Sequence, residues 1–191
     1  HVGMLKKSWK RSEMLRSWVF WAAVPGLMTS PMITTTLFFH QVHLVEIKSW
    51  DLSTYVLFIP AYSAATLFSL YLIGYLVDKL STKIILPVFL FPLISGLLLL
   101  SIATSYLELL FIFILLGLSA GAYTVVYGTF FPEFFGSLYL GSVRTVGLTI
   151  MVFSSAIGPV LSGYFIDLGY LIDHQFKFFA AFSVFATVSF L

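Results

Sequence analysis

Two histidines three residues apart, His40 and His43, are the groups in this sequence best suited to moving a proton near neutral pH. At the mouth of a cavity such a group can couple proton movement to a solute or bind an anion. A metal site is not expected, because His-x-x-His lacks the i, i+4 spacing and intervening Glu of a zinc-protease helix, and the chain has no cysteine. Hydroxyl groups extend the pattern. Thr29, Thr36, His40 and His43 share one helical face; Tyr62, Thr66 and Ser69 share a second, and Ser119, Tyr123 and Tyr127 a third. Gly147, Met151, Ser154, Gly158 and Ser162 make a fourth. Such stripes offer neutral hydrogen bonds and aromatic surface to a small solute. They also have an architectural use: Ser and Thr in membrane helices bond their own i−4 carbonyl or a neighbouring helix, and Tyr favours the interface. No acid lies mid-span to act as a base and the histidines sit at an edge, so neither an enzyme nor a cofactor is expected.

These stripes need long apolar helices to carry them, and the composition supplies little else. Of 191 residues 60% are hydrophobic and 9% charged, with a mean hydropathy of +1.02. A soluble domain carries about 25% charged residues, so this chain cannot dress a water-facing surface, and a disordered tail or a basic nucleic-acid binder is excluded as well. Apolar runs lie at about 17–39, 52–77, 84–104, 106–131, 143–166 and 175–191. None alternates with period two, so an all-α polytopic bundle of six spans is expected rather than a barrel. The last run stops at Leu191 and the chain begins at His1, which reads as a fragment.

Charge gives the bundle a direction. Lys6, Lys7, Lys10, Arg11 and Arg16 precede the first span, Lys79 and Lys83 follow the second, and Arg144 precedes the fifth, so eight of ten bases fall on one side. Only Lys48 and Lys177 fall on the other. The positive-inside rule makes the populated side cytoplasmic, with residues 1–16 a basic cytoplasmic segment and residues 17–191 the membrane unit. At that side Asp78 follows a helix end, where a carboxylate suits the positive N-terminal end of another helix.

An internal repeat organises the spans. Gly74-Tyr75-Leu76-Val77-Asp78 closes the second and Gly163-Tyr164-Phe165-Ile166-Asp167 closes the fifth, 89 residues later; Ala65-Thr66 aligns with Ser154-Ser155 at the same offset. Three helices separate the copies, so one ends inside and the other outside, the pattern of a three-plus-three inverted repeat.

The loop after the second span, Gly74-Tyr75-Leu76-Val77-Asp78-Lys79-Leu80-Ser81-Thr82-Lys83, resembles the loop signature of the major facilitator superfamily: Gly, three residues, Asp, a basic residue, any residue, Gly, two basic residues. Ser81 stands where the pattern has its second Gly and Thr82 where it has a base. Phe38-Phe39-His40-Gln41, Pro132-Glu133-Phe134-Phe135-Gly136 and Leu140-Gly141-Ser142-Val143-Arg144 are similar to bacterial permeases of its monocarboxylate-porter-like branch. The second helix lacks the intramembrane acid and arginine pair of many such porters. The resemblance implies the C-terminal six-helix half of a twelve-helix transporter in a bacterial inner membrane, working with an N-terminal half by alternating access. It implies that the first, second, fourth and fifth helices line the path, the same helices on which helical spacing puts Thr36, His40, His43, Tyr62, Thr66, Ser119, Tyr123, Tyr127 and Ser154 as substrate-lining candidates. It also implies a cytoplasmic gate of Gly74, Asp78, Lys79, Lys83, Glu133 and Arg144. The expected cargo is a small organic solute, with carboxylates among the candidates and a proton as candidate coupling ion. The rival expectation is a complete six-helix substrate-binding subunit of an uptake system.

Overall fold

In a computed structural model describing residues 2–190, every regular element is helical and no strand occurs among the described residues. A 3-10 turn at Met4–Lys6 leads to α1 (Arg11–Met14), α2 (Trp18–Phe39), α3 (Gln41–Lys48), α4 (Leu52–Val56), α5 (Ile59–Leu80), α6 (Thr82–Ile85), α7 (Phe91–Ile102), α8 (Tyr106–Phe135), α9 (Leu140–Asp167) and α10 (Ile172–Val188). Local chemistry sets many of these limits. The Ser105 hydroxyl accepts the Glu108 N–H at 3.3 Å while the Glu108 carboxylate accepts the N–H groups of Thr104 and Ser105, both at 2.8 Å, a reciprocal cap that starts α8. Asp51 caps α4 by accepting the Thr54 N–H at 2.8 Å. Gly136, at φ +82°, closes α8 in the left-handed region that only glycine enters freely.

Four segments are long and apolar enough to cross a bilayer: Trp18–Phe39, Leu52–Leu80, Tyr106–Phe135 and Leu140–Asp167. They correspond to the first, second, fourth and fifth expected spans, the latter three longer by about a turn. The third and sixth expected spans take a different form. Run 84–104 holds Pro87, which cannot donate a backbone hydrogen bond, and residues 86–90 form turns between α6 and α7. α7 keeps 12 residues, a rise of about 18 Å against a hydrocarbon core of about 30 Å. α10 has 17 residues and begins three residues before its expected span.

The helices pack mainly as the pairs α5 on α8 and α2 on α9; α7 lies against both α8 and α10, and α10 against α2. Small residues permit the two main crossings. A Cβ on Gly117 or Gly121 would collide with the α5 backbone at Tyr62 and Thr66, and one on Gly158 would stand 2.5 Å from the Met32 carbonyl oxygen of α2. The largest buried rings are Phe20, Phe130, Phe131, Phe135 and Phe176, three of them on the C-terminal half of α8.

The two ends of the bundle differ. At one, residues 2–16 form a strap across the end of α8: the Trp9 N–H donates to Phe135 O at 2.8 Å, Trp9 meets the Phe135 ring edge-on at 5.9 Å, and Met14 is fully buried. Lys79, Lys83 and Arg144 share this basic end. At the other, Trp50 Nε1 donates to Thr104 O at 3.1 Å, the Asp51 N–H donates to the Tyr106 hydroxyl at 3.0 Å, and Lys48 pairs with Asp173 at 3.0 Å.

Candidate functional site

On α2 most polar side chains face packed neighbours. Thr36 is buried, donates to Met32 O at 2.7 Å and abuts Gly158 where α2 crosses α9. His40, half-buried at the end of α2, places Nε2 3.0 Å from Pro159 O; a carbonyl only accepts, so this nitrogen carries the proton. His43 is half-buried on α3 and makes no hydrogen bond among the described residues. On α9 Ser154 is buried on the same face as Gly158 and bonds its own turn, Met151 O at 2.8 Å.

Proline explains where several of the remaining donors go. Pro31 and Pro159 lie inside α2 and α9, and each leaves without a helical partner the carbonyl four residues earlier, at Leu27 and Ser155. Neighbouring helices supply the missing donors: the Tyr123 hydroxyl of α8 donates to Leu27 O at 3.0 Å, and the Thr35 hydroxyl, its one proton shared with Pro31 O at 2.6 Å, reaches Ser155 O at 3.0 Å. Tyr123 is therefore tied into the bundle through a gap in α2. One turn further along α8, Tyr127 places its ring 5.9 Å from that of Tyr123 and donates to Arg144 O at 3.3 Å. The Arg144 guanidinium lies 5.6 Å from the Tyr127 ring centroid and faces an open groove shared with Gly141, Thr145 and Leu148. Stacked this way, an arginine keeps its donors for a carboxylate or phosphate.

Tyr62 and Thr66 occupy the α5–α8 crossing; Thr66 donates to Tyr62 O at 2.8 Å, and the Tyr62 ring meets Phe38 edge-on at 5.5 Å. Ser119 is 1% exposed and its hydroxyl has no hydrogen-bond partner among the described residues. It lies in Gly117-Leu118-Ser119-Ala120-Gly121, so the Gly-x-Ser-x-Gly spacing of a hydrolase nucleophile turn, expected to be absent from the sequence, does occur. The context is different here. The residues run through an uninterrupted α-helix, both glycines serve the contact with α5, and no histidine or acid bonds the serine.

At the basic end Asp78, Lys79, Glu133 and Lys83 divide between two further grooves. Asp78, Lys79 and Glu133 line one, with Ser81 and Thr129. Asp78 is exposed and makes no ion pair or hydrogen bond among the described residues, while Lys79 lies 4.5 Å from the Tyr75 ring centroid. Glu133 accepts the Thr82 N–H at 2.9 Å and so pins the start of α6 to α8. Gly74 faces open space, with nothing within 4 Å of where a Cβ would stand. Lys83 turns to the second groove, beside Phe134 and Trp18. Ser81 adopts φ +76° and ψ 155°, a conformation essentially confined to glycine.

The residues that sequence reading missed are mostly backbone groups and their partners: Leu27 O and Ser155 O, Thr35, and the bond from Glu133 to Thr82. Only the first two had a signal, a proline four residues downstream. Comparison with family models, curated proteins and solved structures finds no match to this chain.

Proposed function

We propose that the chain is one six-helix half of a secondary transporter of the major facilitator type, built as two three-helix units of opposite direction and moving a small organic solute by alternating access. One observation carries the reading. Exchanging α2 with α8, α5 with α9 and α7 with α10 maps the packing onto itself: the α5–α8 pair becomes α9–α2, α7–α8 becomes α10–α2, and α7–α10 stays in place. The register agrees with the repeat in sequence. Ser69 meets Gly121 at one crossing and Gly158 meets Met32 at the other, and these pairs interchange under the same shift of 89 residues. Ser81 adds support, since its backbone adopts a glycine conformation at the place where the family's loop pattern has glycine.

In this reading α5 and α9, whose exposed faces include Phe68, Tyr71, Tyr75, Val152, Phe153 and Tyr164, are the helices free to meet a second half. Arg144, stacked over the Tyr127 ring, is the group presented to an anionic solute. Asp78, whose side chain has no partner among the described residues, supplies a gate contact across the interface, with the basic end in the cytoplasm. The test is uptake of labelled organic acids, sugars and amino acids by the complete protein in proteoliposomes, with and without a proton gradient. Transport of one class that Asp78→Asn cuts while membrane insertion is kept is the expected result. Failure to move any solute, or full transport by Asp78→Asn, overturns the transporter reading or its gate respectively.

A further inference from the structure

Where α2, α6, α8 and the end of α10 meet at the basic end lies a cleft of about 310 Å³, lined by Trp18, Val19, Ala22, Lys83, Phe134 and Phe190 among others. It is amphipathic: the floor is apolar, and the one cation in its lining is Lys83, which is exposed and has no acid partner among the described residues. Trp18 is the second polar group. Of the four indoles, Trp9, Trp21 and Trp50 each donate to a backbone carbonyl of the chain, at Met4, Leu15 and Thr104. Trp18 makes no such bond among the described residues and is 78% exposed. It is also the first residue of a 22-residue apolar helix, so the cleft opens at the level where a bilayer's polar boundary meets its hydrocarbon. The Ser189 hydroxyl, at the back of the cleft, already donates to Ala22 O at 2.8 Å and to Ala186 O at 2.7 Å, so the free donors are those at the mouth.

We infer that this cleft is a binding site for an anionic phospholipid. The lipid phosphate takes the Lys83 ammonium and the Trp18 indole N–H, and the upper acyl chain lies along Val19, Ala22 and Phe190. Charge selects the occupant: a cation and a neutral donor at the mouth of an apolar cleft match a lipid that is negative at one end and hydrocarbon at the other. The strap strengthens the attraction. Met4 also lines the cleft, and the strap around it carries Lys6, Lys10, Arg11 and Arg16 exposed, while its single acid, Glu13, is held by Lys7 at 2.6 Å. The inference needs the membrane embedding and orientation given above, and does not need transport.

The test uses the intact protein in phosphatidylcholine nanodiscs in which either phosphatidylglycerol or phosphatidylcholine carries brominated acyl chains that quench tryptophan on contact. Trp18 emission is the difference between the unaltered chain and Trp18→Phe. Phosphatidylglycerol is expected to quench it selectively, Lys83→Gln to cut that preference about fivefold, as for the loss of one base near an anionic surface, and Lys83→Arg to keep it. Lys10→Gln, at the same end but outside the cleft, is expected to lower it less than about twofold. Equal quenching by the two lipids, or an effect of Lys10→Gln as large as that of Lys83→Gln, overturns the site in favour of a diffuse basic belt. A protein that prefers phosphatidylglycerol yet moves no solute leaves this site standing and counts against the transporter alone.

Discussion

Replacing Tyr123 by Phe removes one oxygen atom, and the consequence follows from Pro31. The Leu27 carbonyl has lost its helical donor to that proline, and the Tyr123 hydroxyl at 3.0 Å takes the donor's place. Hydrogen bonds between membrane helices average about 0.6 kcal/mol in double-mutant cycles, with a maximum near 1.7, because groups that lose one partner usually find another. Leu27 O has no backbone N–H at the i+4 position of its own helix. A buried carbonyl left unpaired costs about 1–3 kcal/mol, so Tyr123→Phe is expected near the top of the membrane range, about 1.5 kcal/mol. The decisive experiment is a cycle with Pro31→Ala, which returns an N–H to position 31 and lets α2 satisfy Leu27 O itself. Reversible unfolding in detergent then measures four free energies. In the Pro31→Ala background Tyr123→Phe is expected to cost less than about 0.5 kcal/mol, leaving a coupling of about 1 kcal/mol. If the tyrosine hydroxyl is worth the same with and without the proline, the account of its role is refuted.

Four further outcomes follow from single contacts. Ser81→Gly relieves a φ of +76° and is expected to raise unfolding stability by about 1 kcal/mol, read in the same detergent assay. Gly158→Ala sets a Cβ 2.5 Å from both Met32 O and Thr36 Oγ1, so α2 and α9 must separate, at about 1–3 kcal/mol. Gly74→Ala meets nothing within 4 Å and is expected to leave folding unharmed; if a second half covers that face, transport falls all the same, and unchanged transport argues against the cover. The Lys7 ammonium hydrogen-bonded to Glu13 holds the Glu13 carboxyl below its ordinary value, helped by the Lys10 N–H. A depressed native value means that the strap's contribution is complete above the ordinary carboxylate range and is lost as pH falls through the lower one. Trp9 emission, which reports the contact with Phe135, is expected to change there, and Lys7→Gln to move that change to higher pH.

The membrane class and the grouping of bases were legible because both rest on composition and loop position. Scarce charge has nowhere to go but helix ends, and the structure gathers Lys79, Lys83, Arg144 and the strap at one of them. The four long helices were legible for the same reason: their apolar runs have no break that a neighbour cannot mend. The third run was not, because its hydropathy is as high as the others' and only Pro87 and Pro92 mark where α6 stops and α7 begins. The strap was hidden too. Hydropathy treats residues 1–16 as a charged tail, and the burial of Met14 and the bond from Trp9 to Phe135 exist only once α8 ends at Gly136. Helical spacing also grouped residues by face without saying what each face meets. The stripe of Gly147, Ser154, Gly158 and Ser162 is a real face, and it is the buried one.

The burial of that stripe changes how polar residues in these helices should be weighed as solute contacts. A hydroxyl one turn after an intramembrane proline, or beside one in a neighbouring helix, has a structural task that spacing alone cannot reveal. Thr29, Thr35 and Thr36 bond carbonyls of the proline-containing turns of α2, and Tyr123 and Thr35 mend the gaps at Pro31 and Pro159. His40 meets the Pro159 carbonyl itself, so replacing it would disturb α9 as well as any proton path. Arg144 differs from all of these. Its backbone carbonyl takes the Tyr127 hydroxyl, its guanidinium stays exposed over the Tyr127 ring, and no acid in the described chain neutralises it. A cation held in place by its backbone while its side chain remains free is the arrangement that recognition of an anion requires. In the proposed transporter, Arg144→Lys, which keeps the charge but loses the planar fork, is expected to impair uptake of a carboxylate while leaving the unfolding free energy within about 0.5 kcal/mol of the unaltered chain. Equal uptake by the two proteins would reduce Arg144 to a topological charge.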